Sequence, residues 1–210
     1  MTRAQESEAR LLDAAEALLR AGGIDAATVP AIAREAGMSV GNVYKRFPDK
    51  DALLRAVFTR FHSRAAAKNA HALNPDRWRG APLGPTLRGL FVATVRSYAE
   101  NRRFFAALAD YADTHPDAAI RARMGRLRAA ALHDAAHLLL QYRDRIGHPD
   151  PEYAVAFVLE SVAHTLRGIV LAPRPARRYV AEPERVGAEL ARLVLSYLEL
   201  HDEPRAHLGT

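Results

Sequence analysis

Residues 28–54 read TVPAIAREAGMSVGNVYKRFPDKDALL, and the fold turns on how this stretch divides. Thr28 is a natural helix N-cap, and Val29, Ile32, Ala33 and Ala36 follow at the three- and four-residue steps of a buried helical face. Gly37 breaks that helix. Met38 and Ser39 supply a tight turn, and the Ser39 hydroxyl suits the cap of a further helix that buries Val43 and Phe47. Two short helices joined by a glycine-containing turn form a helix-turn-helix. Ala33 is small where the two helices would cross. Pro48 and Asp49 then stop the second helix and cap a longer one, with Lys50 in its first turn.

This division leaves Val40, Gly41, Asn42, Tyr44 and Lys45 facing outward on the second helix. An asparagine amide pairs with a base edge, often adenine, and a valine methyl meets a thymine methyl. Glycine at position 41 lets the backbone come close to the bases. Tyr44 and Lys45 reach backbone phosphates beside the groove. Thr28 and Lys50 stand at helix N-termini, whose free N–H groups attract anions. The expected DNA-contacting set is therefore Thr28, Ser39, Val40, Gly41, Asn42, Tyr44, Lys45 and Lys50. A plain helical hairpin is the competing reading, and it requires the turn, the caps and the two lysines to coincide by chance.

Outward from this stretch, the chain has 210 residues, 49% hydrophobic and 26% charged, enough for a real core and unlike a disordered chain. It contains no cysteine, which excludes disulfide scaffolds, thiolate zinc sites and cysteine nucleophiles. The N-terminus has no secretory pattern, and no apolar run approaches the ~20 residues that span a bilayer. The expectation is a soluble, cytoplasmic protein with no membrane partner. The formal charge of +6 hints at a polyanionic partner, although the excess is almost all arginine and accompanies a strong alanine bias.

Alanine, leucine, arginine and glutamate favour helix, and no alternating β-branched run competes with them, so the expected class is all-α. The expected helices run from about 4 to 21, 28 to 37, 39 to 47, 49 to 71, 86 to 100, 102 to 113, 117 to 145, 151 to 171 and 184 to 200. The Pro- and Gly-rich stretch 73–85 is a linker or loop, 174–178 an exposed loop, and 201–210 a frayed tail.

Thr28-Val29, Ile32-Ala33, Ala36-Gly37, Ser39, Gly41, Tyr44, Phe47, Lys50 and Leu53-Leu54 together resemble the DNA-binding signature of the tetracycline-repressor-like (TetR/AcrR) regulators. The resemblance spans about residues 8–55. It implies an N-terminal three-helix DNA-binding domain, residues 1–48. It also implies a C-terminal helical domain, residues 49–210, that dimerises and binds a small ligand, the helix 49–71 connecting the two. Ligand binding in such proteins typically moves the fourth helix and releases the operator. Two positions depart from the pattern. Pro30 offers no donor where some members carry a DNA-reaching side chain, so less base reading is expected from that helix. Arg46 replaces a histidine or aromatic residue, its role being phosphate contact or packing.

In the C-terminal two-thirds, Ala154, Val158, Ser161, Thr165 and Gly168 form a stripe of small residues, and Val186, Leu190, Leu193, Val194 and Tyr197 form another. Two such helices from each of two chains would build a four-helix interface; ordinary intrachain packing makes the same demands. The expected dimer residues are Ala154, Val158, Ser161, Thr165, Val186, Leu190, Leu193 and Tyr197. The expected pocket for a largely apolar effector is lined by Phe91, Val95, Tyr98, Phe104, Phe105, Leu108, Tyr111, His133, His137, Phe157 and His164. His133 and His137 have metal-ligand spacing, but no third ligand is identifiable, so no metal is expected. The arginines at 102–103 and 121–128 read as solvated helix faces.

No phosphate loop, Gly-x-Ser-x-Gly elbow or His-Glu-x-x-His pair occurs, so neither an enzyme nor a cofactor is expected and no catalytic residue is assigned. The leading expectation is a ligand-responsive regulator, most often a repressor, that binds a palindromic operator as a homodimer. The alternatives are a DNA-binding protein of the same fold without an effector and an all-α enzyme.

Overall fold

Thr2 and Gln5 start the first helix through a reciprocal capping box: the Thr2 hydroxyl accepts the Gln5 N–H at 3.3 Å, and the Gln5 side chain accepts the Thr2 N–H at 2.8 Å. That helix, α1 (Arg3–Gly22), buries Leu11, Leu12, Ala15 and Leu19 along one face. It is followed by α2 (Val29–Glu35), α3 (Val40–Tyr44), α4 (Lys50–Ala72), α5 (Leu83–Glu100), α6 (Arg102–Thr114), α7 (Ala118–Leu140), α8 (Pro151–Leu171) and α9 (Pro183–Tyr197), with single 3₁₀ turns at Pro75–Trp78 and Arg143–Arg145. These come from a computed structural model that describes residues 2–171 and 182–200. The described residues contain no strand, and the molecule is all-α. The loop expected at 174–178 and the tail expected at 201–210 lie outside the described residues.

Two of the boundaries that differ from expectation do so for local reasons. α5 starts at Leu83, ahead of Pro85, because proline is tolerated in a first turn, where its missing N–H has no intrahelical partner. α7 stops at Leu140. Beyond it the chain tightens into three-residue bonds, Tyr142 N–H to the Leu139 carbonyl at 3.0 Å and Arg145 N–H to the Tyr142 carbonyl at 2.8 Å.

The described chain forms two compact units. One comprises Met1–Ala65 with Asn101–Leu127, and the other Ala66–Glu100 with Arg128–Thr210. In the first, Leu11, Leu19, Ile32, Val43, Leu53, Val57 and Met124 surround a ring cluster. Phe58 and Phe104 meet edge-on at 5.8 Å between centroids, and Phe61 stands 4.8 Å from Phe104. Each fully buried ring contributes roughly 1.5–3 kcal/mol. In the second, α9 packs along α5, and Val95, Leu139, Ala154, Val158, Leu190 and Val194 form the core. Gly187 sets the closeness of that crossing: a Cβ there would lie 2.6 Å from the Val92 backbone nitrogen.

Candidate nucleic-acid interface

The turn from α2 to α3 closes through two backbone bonds. Gly37 N–H donates to the Arg34 carbonyl at 3.1 Å and Met38 N–H to the Ala33 carbonyl at 2.8 Å, the Schellman pattern. Gly37 has φ of +65°, a left-handed value that costs an L side chain roughly 1–2 kcal/mol. Both short helices are capped as their sequences suggest: Thr28 Oγ1 accepts from Ala31 N–H and Ser39 Oγ from Asn42 N–H, each at 3.3 Å. Val29, Ile32, Ala33 and Val43 turn inward.

On the outer side of α3, Val40 is 38% and Tyr44 51% exposed, and Gly41, Asn42 and Lys45 are exposed beside them. Thr28 and Ser39 are exposed as well. A Cβ at Gly41 would meet nothing nearer than Ser39 Oγ at 3.9 Å, so packing within the chain does not call for glycine there. A short helix thus holds an aromatic ring, an aliphatic side chain, an amide and an ammonium in solvent, beside a position kept bare.

Lys50 is placed differently from the other seven. It is half-buried, and its Nζ donates to the Ile24 carbonyl at 3.3 Å, tying the start of α4 to the connection between α1 and α2. Asp49 Oδ1 caps α4 by accepting from Ala52 N–H at 2.7 Å. Pro30 sits exposed in the first turn of α2, and Arg46 is half-buried.

The first unit also holds a polar framework that sequence reading missed. Asp51 Oδ1 accepts from the Tyr111 hydroxyl and from His115 Nε2, both at 2.9 Å. The Asp117 N–H donates to His115 Nδ1 at 3.0 Å, which assigns the ring proton to Nε2. Burial, and then the bond to and charge of Asp51, push the Tyr111 phenol well above its usual range. Glu16, only 5% exposed, pairs with Arg20 at 2.6 Å, Arg60 at 3.0 Å and Arg64 at 3.2 Å. Apart from Arg20, four residues on from Glu16, the partners are too distant in sequence for spacing to reveal. Glu16 did leave a signal, since it shares the face of Leu12, Ala15 and Leu19.

The residues expected to line one pocket do not share one setting. Phe104, Phe105, Leu108 and Tyr111 belong to the aromatic core of the first unit, with Phe61 5.5 Å from Phe105 and Phe58 5.0 Å from Tyr111. In the second unit, Val95 is fully buried and Phe91 and Tyr98 are half-buried against its core. Burial raises the Tyr98 phenol, opposed by Arg167 and Arg128. His133, His137, Phe157 and His164 are exposed, and among the described residues no three His, Cys, Asp or Glu side chains cluster as a metal site.

The expected dimer residues divide too. Ala154, Val158, Val186 and Leu190 are buried within the chain's own core. The apolar groups that α8 and α9 leave in solvent are Tyr153 at 61%, Phe157 at 49% and Leu193 at 45% exposed. The small-residue stripe of α8 is therefore covered by the chain itself only at Ala154 and Val158. Thr165 is exposed, and Ser161 and Tyr197 are half-exposed.

The sequence matches two family models: "Bacterial regulatory proteins, tetR family" over residues 11–57 and "Tetracyclin repressor-like, C-terminal domain" over residues 82–198. No curated protein sequence matches the chain. Among solved structures it is similar to a putative TetR-family transcriptional regulator from Mesorhizobium loti, with TM-score 0.71 and 21% identity over 93% of this chain and 98% of that one. It is also similar to the transcriptional regulator FadR from Bacillus subtilis in complex with stearoyl-CoA, with TM-score 0.67 and 15% identity over 90% and 98%. NalD of Pseudomonas aeruginosa, the secondary repressor of the MexAB-OprM multidrug efflux pump, has TM-score 0.61 and 22% identity over 92% and 98%. With an N-terminal helix-turn-helix, a C-terminal helical region and family models covering most of its length, this chain belongs to the TetR family of transcriptional regulators.

Proposed function

We propose that the chain is a ligand-responsive repressor that binds a palindromic operator as a homodimer, with α3 as the recognition helix. The observation that carries this reading is the outer face of α3, where Val40, Asn42, Tyr44 and Lys45 stand in solvent around a glycine that internal packing does not require. Residues 1–48 meet the DNA, and residues 49–210 dimerise and sense the effector. Val40 and Asn42 read base edges, Tyr44 and Lys45 hold phosphates, and Thr28 and Ser39 present capped helix starts to the backbone. Lys50 contributes chiefly by holding the start of α4 in place.

The second copy covers the exposed Tyr153, Phe157 and Leu193, with Ser161, Thr165 and Tyr197 at the margin. The effector is small and largely apolar and is held by the second unit beside Phe91 and Tyr98. A structural neighbour complexed with stearoyl-CoA supports a fold that accepts such molecules. Catalysis forms no part of the role, and the DNA partner places the protein in the cytoplasm. No helix among the described residues is long and apolar enough to cross a membrane.

Selection of genomic fragments by the full chain, followed by binding titrations, tests the reading. The expected result is a recurrent inverted repeat whose affinity falls at least tenfold with Tyr44→Ala. Failure to enrich any sequence at low salt overturns it.

A further inference from the structure

The first unit also carries a shallow cleft of about 480 Å³, broadly open to solvent, formed by α1, α4 and the start of α7. Its volume lies within the range of small-molecule sites. Leu12, Ala52 and Ala56 supply apolar surface, and Arg55, Arg60 and Arg123 supply three guanidinium groups. Their charges are not equally engaged. Arg60 pairs with Asp13 at 2.9 Å and Glu16 at 3.0 Å. Arg55 reaches Asp51 only at 3.8 Å. Arg123 is exposed, with no hydrogen bond or ion pair among the described residues. Glu8 is the only carboxylate among the described lining residues, and Arg123 is the one lining guanidinium without an ion pair there.

We propose that this cleft binds an aliphatic monocarboxylate. Arg123 and Arg55 hold the carboxylate, for which the planar guanidinium fork is suited. The alkyl chain lies over Leu12, Ala52 and Ala56. Glu8 on the lining disfavours a dianion such as a phosphate monoester, and the apolar surface gives a bare inorganic anion nothing further to contact. Because Arg55 stands on α4 and Arg123 on α7, the occupied site joins two helices of the unit. The site is separate from the effector site in the second unit and does not depend on DNA binding.

Calorimetric titration of the full chain with octanoate tests this, with octan-1-ol and inorganic phosphate as comparison probes. Octanoate is expected to bind at least tenfold more tightly than either. Arg123→Ala should weaken octanoate at least tenfold, while Arg126→Ala, an exposed arginine on the same helix outside the cleft, leaves it unchanged. Equal binding of octan-1-ol removes the role of charge, and equal binding of phosphate removes that of the apolar surface. Parental octanoate affinity in Arg123→Ala overturns the site. Loss of DNA affinity in Arg123→Ala, with no octanoate bound by the parent, reassigns these arginines to DNA phosphates and overturns it equally. Arg123 has no partner to lose, so unchanged thermal melts are expected and the titrations stay interpretable.

Discussion

Asn42 presents its side chain from the first turn of α3 while its own backbone N–H is already bonded to Ser39, so truncation removes an amide without removing a cap. Asn42→Ala should change the preference at one base pair by ~1–3 kcal/mol, read from titrations over operators carrying single base changes. Tyr44→Ala should weaken all of those operators together, since phosphate contacts carry no sequence information. Both variants should melt like the parent, because both side chains lie outside the core. Tyr111 is the opposite case, a buried hydroxyl with its donor bond directed at Asp51. Its phenol is raised, so the folded state holds that proton more tightly than the unfolded one. The resulting stability is complete below the ordinary tyrosine value of 10.0 and is lost as pH rises above it. Thermal melts between neutral and alkaline pH should show that loss. Tyr111→Phe should flatten it while lowering neutral stability by about 1.5–3 kcal/mol, the usual loss for a bond to a charged acceptor.

Gly37 and Gly187 show how differently two helix junctions can be read from sequence. The α2–α3 turn was legible because every part of it is local: the Thr28 cap, the left-handed glycine and the Ser39 cap fall within twelve residues. The α5–α9 crossing was not, because the close approach of Gly187 to Val92 depends on a pairing across most of the second unit. The same holds for Asp51 with His115, a contact 64 residues apart. On α8, three- and four-residue periodicity located a stripe but could not say whether the chain's own core or a second copy covers it; Ala154 and Val158 are buried in the core, whereas Thr165 and Gly168 are exposed. Gly187→Ala should destabilise the second unit by about 1–3 kcal/mol through overpacking against a backbone that cannot move aside, measured by denaturant titration. Gly37→Ala should cost a similar roughly 1–2 kcal/mol through backbone conformation, and its damage should appear in the first unit.

Over the whole molecule, net charge does not single out the helix-turn-helix. Residues 1–60 carry 9 basic and 8 acidic side chains, residues 61–210 carry 21 and 16, yet the helix-turn-helix lies in the first group. Position matters more, with Tyr44 and Lys45 exposed on a helix whose inner face is buried. The ring array of exposed Tyr153 and Phe157 with half-exposed Tyr197, neighbouring centroids 6.1 and 5.7 Å apart, is the surface a second copy would cover. Phe157→Arg with Leu193→Arg should therefore shift sedimentation from twice the chain mass to 23.1 kDa while leaving the helical content unchanged. Whether α3 reads an operator on behalf of a dimer is decided by footprinting the full chain on a genome-selected fragment. Two protected half-sites about 34 Å apart on one face of the duplex are expected, both lost with Tyr44→Ala. Protection that ignores sequence, or that survives Tyr44→Ala unchanged, would contradict that role of α3.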